Sequence, residues 1–215
     1  MSELGDLLAS RGARLALKLA GVVVVLGLVA GAAWFWLRSE DARGRAALAA
    51  AAETVQQGEG PQATAEARQK AIGMLQAVLD EHGRSSAATQ AAYQLGNLQY
   101  EAGEYAAARA AYELALAKGA EGSLRTLSAS GIGYTWEAQK SYANALTAFE
   151  AAARALAPGQ FFFEEALLDL ARAQTLAGKP AEARATYERL LKDAPETRRA
   201  EVIRGRLAAL PSSTK

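Results

Sequence analysis

The chain has 215 residues, with 24 Lys and Arg against 23 Asp and Glu, for a formal net charge of +1. It is 51% hydrophobic but only 7% aromatic, so alanine and leucine carry most of the apolar surface, a bias toward helix over sheet. Residues 1–37 hold three basic and two acidic side chains, which leaves 21 of each sign beyond them. That balance excludes a basic footprint for nucleic acid, and the absence of cysteine excludes a disulfide framework and a thiolate metal site.

Residues 1–18 form a short N-terminal tail. Residues 19–37, LAGVVVVLGLVAGAAWFWL, carry no charge and are bordered by Lys18 and Arg38. As a helix they span about 28 Å, close to the hydrocarbon thickness of a bilayer. Trp34, Phe35 and Trp36 stand where an aromatic belt meets the headgroups. The pattern predicts a transmembrane anchor. A cleaved signal peptide is the rival reading, with Ala30-Gly31-Ala32 as its site, but the apolar run continues past that site. Three basic residues lie on each side of the span (Arg11, Arg14, Lys18 and Arg38, Arg43, Arg45), so charge does not orient it. Gly27 and Gly31 form a GxxxG pair, a candidate helix-association face for a homo-oligomer.

Residues 38–60 read as a stalk helix, with Ser39 as its cap and Glu40 and Asp41 at its positive end. Gly58 to Pro61 break it, and residues 61–215 form the remaining domain. A helix over 62–83 follows, with Ile72, Leu75, Val78 and Leu79 on one face.

Beyond it the chain repeats itself. Gly96, Gly133 and Ala171 are each preceded by an apolar residue, Leu95, Ile132 or Leu170. Twelve residues later comes an alanine, Ala108, Ala145 or Ala183, and four further a ring, Tyr112, Phe149 or Tyr187. Each unit is predicted to be two antiparallel helices, with turns at Gly103, Lys140 and Gly178. The small residue and the alanine sit where the two helices approach, and the ring fills the space toward the next unit.

This pattern resembles the tetratricopeptide repeat. The matching residues continue through Ala115, Ala152 and Pro195, while Pro158 lies one place late and Ala120 replaces the proline of the first copy. The resemblance implies an all-α fold, a transmembrane helix followed by an α-solenoid. Its parts are a half-repeat over 62–83, repeats over about 89–122, 126–159 and 164–197, and a capping helix over 196–210 with a charged outer side. The order of parts and the WFWL end of the anchor resemble more closely the YfgM-type ancillary subunits of the bacterial Sec translocon. That resemblance implies an inner-membrane protein with a cytoplasmic tail and periplasmic repeats, whose partners are translocon subunits, exported chains or periplasmic chaperones. Other envelope scaffolds share the layout, and a soluble periplasmic adaptor is the alternative.

No enzyme, cofactor or metal is expected. The single histidine, His82, ends a helix, where a dipole partner is commoner than a catalytic base. Gly131-Ile132-Gly133 lacks a phosphate-loop lysine, and the adjacent Glu164 and Glu165 point in different directions on a helix. A partner is expected on the concave side, lined by first helices: Tyr93, Asn97, Tyr100 and Glu101 in the first repeat, Ser130, Tyr134 and Glu137 in the second, Glu165, Leu168 and Arg172 in the third. The lysine that a carboxylate clamp would need is replaced by Tyr93 and Tyr134. Phe161 to Phe163 form an apolar triplet between units that either fills the core or anchors a partner.

Overall fold

The computed structural model describes residues 11–154 and 156–211, so residues 1–10 of the expected tail lie outside the described residues, as do Ala155 and residues 212–215. Among the described residues there are nine helices and no strand. They are α1 (Arg11–Gly58), α2 (Ala65–Glu81), α3 (Ala87–Glu101), α4 (Tyr105–Ala117), α5 (Gly122–Ala138), α6 (Tyr142–Arg154), α7 (Phe163–Leu176), α8 (Pro180–Asp193) and α9 (Ala200–Ala209).

The expected anchor and the expected stalk are one helix. Helix α1 runs 48 residues without a break, about 72 Å at 1.5 Å per residue. No glycine or proline interrupts Ala33 to Arg43, so the change of composition at Arg38 leaves the backbone helical. Ser39 accordingly caps nothing: its hydroxyl donates back to the Trp36 carbonyl at 2.8 Å. The apolar half of α1 is exposed throughout, with Val22 to Val25 at 55–67%. It is one helix long and apolar enough to cross a membrane.

The other half of α1 belongs to the repeat array. Ala51 and Val55 are buried against Ala71, Ile72, Leu75 and Val78 of α2. The expected half-repeat is therefore a complete helix pair, whose first member is the end of α1. Helix α2 begins at Ala65, where Thr64 Oγ1 accepts the Ala67 N–H at 3.1 Å.

The α2–α3 loop is fastened to α1. Gly44 is so close to this loop that a Cβ there would overlap Ser85 Oγ. His82 Nδ1 is 3.1 Å from Glu40 Oε1. Asp41 Oδ1 accepts from both the hydroxyl (2.5 Å) and the N–H (2.8 Å) of Ser86, the N-cap residue of α3. These bonds hold the Asp41 carboxyl below the usual range, the hydroxyl contributing most. Asp41 thus serves the positive end of a helix, but that of α3 rather than its own. The Arg84 guanidinium lies 5.8 Å over Trp36.

Three further pairs follow: α3 with α4, α5 with α6, and α7 with α8. Gly103, Lys140 and Gly178 all take positive φ, at 77°, 59° and 74°. At each, the next N–H donates to the carbonyl five residues back: Glu104 to Gln99, Ser141 to Trp136, Lys179 to Gln174. This is the Schellman closure, and it folds the second helix onto the first.

The rings explain the small residues. A Cβ on Gly96 would come within 2.6 Å of the Tyr112 ring, and one on Gly131 within 2.7 Å of the same ring. Tyr112 is held between the glycine of its own first helix and that of the next repeat. Phe149 packs on Gly133 in the same way, also at 2.6 Å. Alanines Ala108, Ala145 and Ala183 are fully buried. Helix α9 closes the end, with Ile203 and Leu210 in the core beside Tyr187 and Leu190 and with Arg204 and Glu201 in solvent.

Candidate functional site

The first helices α3, α5 and α7 stand side by side and line a cleft of about 390 Å³. Its floor is Gly131 and Tyr112, its walls Tyr93, Tyr100, Ser130 and Tyr134, and its two ends Glu59 and Phe162. The helical period puts these residues there: Tyr93, Asn97 and Tyr100 share one face of α3, and Leu127, Ser130 and Tyr134 the matching face of α5.

Of the ten residues expected to contact a partner, seven border this cleft: Tyr93, Asn97, Tyr100, Glu101, Ser130, Tyr134 and Glu165. Several also hold the fold. Asn97 Oδ1 accepts from Tyr112 Oη at 2.9 Å. Glu101 Oε2 accepts from the Gly60 N–H at 2.7 Å and pairs with Arg68 at 3.3 Å, so it pins the α1–α2 turn to α3. Tyr93 packs on Tyr112 with centroids 6.0 Å apart, and Tyr100 on Tyr105 at 5.5 Å. Glu165 pairs with Arg199 of the segment leading into α9.

The remaining three are placed differently. Leu168 is 7% exposed and packs in the core of the third repeat. Glu137 and Arg172 form an ion pair that bridges α5 and α7. Arg172 also donates to Asp169 Oδ1 at 2.8 Å and lies 5.5 Å over the Tyr134 ring. Burial opposes its charge, but Asp169 and Glu137 outweigh burial and raise its pKa further. Tyr134 Oη donates to Asp169 Oδ2 at 2.5 Å, and burial followed by that bond pushes the phenol far above its ordinary range. The Tyr134 hydroxyl is thus engaged within the fold.

Two site residues escape the sequence. Asp169 stands in an apolar run, ALLDLA, and is buried with two partners. A lone acid in a buried register of α7 was the available signal. Glu59 lies in a turn outside the repeat pattern. Burial, then the charge of Glu101, raises its carboxyl above the usual range. The apolar triplet divides: Phe162 is half-buried at the cleft end, Phe163 is core, and Phe161 is 89% exposed. Gly27 and Gly31 lie bare on α1, with nothing within 4 Å of a Cβ at either.

The sequence profile of the tetratricopeptide repeat-like domain matches residues 16–211. The chain belongs to that family. The match begins inside α1, in line with that helix supplying the first member of the array. No curated protein matches the chain. Among solved structures, it is similar to the nearly identical TPR-like repeats of a Podosopora anserina protein assigned as a kinesin light chain. The identity is 18% and the TM-score 0.60, over 78% of this chain and 85% of that one. A point variant of that protein gives the same identity and TM-score, with 84% of its chain covered. These likenesses are of fold. Tetratricopeptide-like repeat arrays are typically protein–protein interaction scaffolds.

Proposed function

We infer that the protein is a membrane-tethered scaffold which binds protein segments in the α3–α5–α7 cleft. The observation that carries this reading is the convergence of seven expected contact residues, drawn from three separate repeats, on one cleft. The bare apolar half of α1, continuous with the array, supports the tether. The resemblance of the layout to the YfgM-type subunits supports a finer placement. In it the protein sits in a bacterial inner membrane, with the tail in the cytoplasm and the cleft in the periplasm. The partners are then exported chains near the Sec translocon and the chaperones that receive them.

A photoreactive residue at Ser130, in the middle of the cleft, tests this in intact cells. Capture of exported chains or translocon subunits, identified by mass spectrometry, is the expected result. The same label at Ala151, exposed on α6, should capture none of them. Equal labelling from both positions would sink the cleft as the site.

A second reading rests on Gly27 and Gly31, which lie open on α1. Close approach of two copies there would make a homo-oligomer. The mass of the particle in detergent should then fall to that of one copy on Gly27→Leu with Gly31→Leu. An unchanged mass would remove this reading.

A further inference from the structure

The cleft has a one-sided charge. Four carboxylates border it, Glu59, Glu101, Glu165 and Asp169, and no lysine or arginine does. Three of them are partnered from outside the cleft, by Arg68, Arg199 and Arg172. The Glu59 side chain has no hydrogen-bonding or ionic partner among the described residues, and it sits close enough to Glu101 for the two charges to oppose each other. With three charges neutralised by arginines, the unbalanced one is that of Glu59, and it would repel a bound carboxylate. A bound cation would relieve the Glu59–Glu101 repulsion.

The walls suit one kind of cation. Tyrosine faces attract guanidinium and ammonium groups, guanidinium more often. The chain already holds a guanidinium in this way beside the cleft. Arg172 lies over the Tyr134 ring and bonds Asp169. At the cleft end the surface turns apolar. Phe162 lines the cleft and Phe161, edge-on to it at 4.8 Å between centroids, stands free in solvent.

We propose that the cleft takes an extended basic segment, with one arginine or lysine side chain among the tyrosines and carboxylates and the adjacent apolar side chain on Phe161 and Phe162. The proposal rests on the reading of the cleft as the partner site and adds the chemistry of what it selects. An acidic segment or a free C-terminal carboxylate is disfavoured by charge, and a wholly apolar segment would leave Glu59 unpaired in a desolvated cleft.

The test is fluorescence anisotropy with the full chain in detergent micelles. Three dye-labelled ten-residue peptides share one flexible frame and differ at two central positions, Arg-Phe, Glu-Phe or Arg-Ser. The Arg-Phe peptide should bind about tenfold or more tighter than Glu-Phe at low salt, and the gap should narrow at high salt. Glu59→Lys should weaken Arg-Phe and strengthen Glu-Phe. This reversal cannot come from unfolding, since the Glu59 side chain is exposed and makes no bond to the rest of the described chain. Phe161→Ser should bring Arg-Phe down to the level of Arg-Ser. Equal or tighter binding of Glu-Phe, lost on Tyr100→Ala, would overturn the charge preference and leave the cleft as the binding site. Binding of none of the three would overturn both.

Discussion

Tyr112 shows what a single side chain does here. Its ring is gripped by two glycines from successive repeats, and its hydroxyl reaches Asn97. A methyl group at Gly131 would overlap the ring and force it off its rotamer, so Gly131→Ala should cost about 1–3 kcal/mol, read as a lower denaturant midpoint with unchanged slope. Lys140 presents the opposite case. It alone among non-glycine residues described takes positive φ, a conformation that costs an L-residue about 1–2 kcal/mol. Lys140→Gly should therefore raise stability by about 1 kcal/mol, measured by thermal unfolding. Both turn and ring were legible from spacing alone, because each repeat restates them. Gly131 showed in the sequence only as part of a glycine pair without a phosphate-loop lysine. That it shares a ring with Gly96 depends on how two repeats stack, which no single repeat encodes. Asp169 was hidden because its partners, Tyr134 and Arg172, come from two helices.

At the scale of elements, α1 departs most from the sequence. Composition divides it at Arg38, but composition records surroundings and not backbone. With no breaker between Ala33 and Arg43 the helix continues, and the acids meant for a cap serve the α2–α3 loop instead. Gly44→Leu should free that loop, since its Cβ would overlap Ser85. Hydrogen exchange should quicken over residues 82–88 and remain slow in α7 to α9, because repeats couple mainly to their neighbours. Asp41 adds a pH signature. Its folded pKa lies below the unfolded one, so its contribution is present above the ordinary aspartate range and is lost as pH falls through the folded value. The melting temperatures of wild type and Asp41→Ala should differ at neutral pH and converge in acid.

For the whole molecule the question is where the folded unit begins. The answer lies inside α1, because the half-repeat predicted over 62–83 takes its missing helix from there. Removing residues 1–37 deletes the exposed part and with it the Trp36–Arg84 contact, and should change the melting temperature little. Removing residues 1–58 also strips Ala51 and Val55 from α2. Burial of a valine and an alanine contributes about 2–3 kcal/mol, so this truncation should melt about 4–12 °C lower. Equal melting of the two truncations would show that the array starts at α2.

From Arg38 to Gly58 the same helix runs on for about 30 Å, and the turn that ends it, at Glu59 and Gly60, is the near wall of the cleft. No hinge separates the two. Were the apolar half held in a bilayer, as proposed above, the cleft would stand at a set height above the lipid and face a set compass bearing. A tilt or spin of the buried end swings the mouth through the same angle. A chain pulled from the mouth exerts torque on the post that carries it.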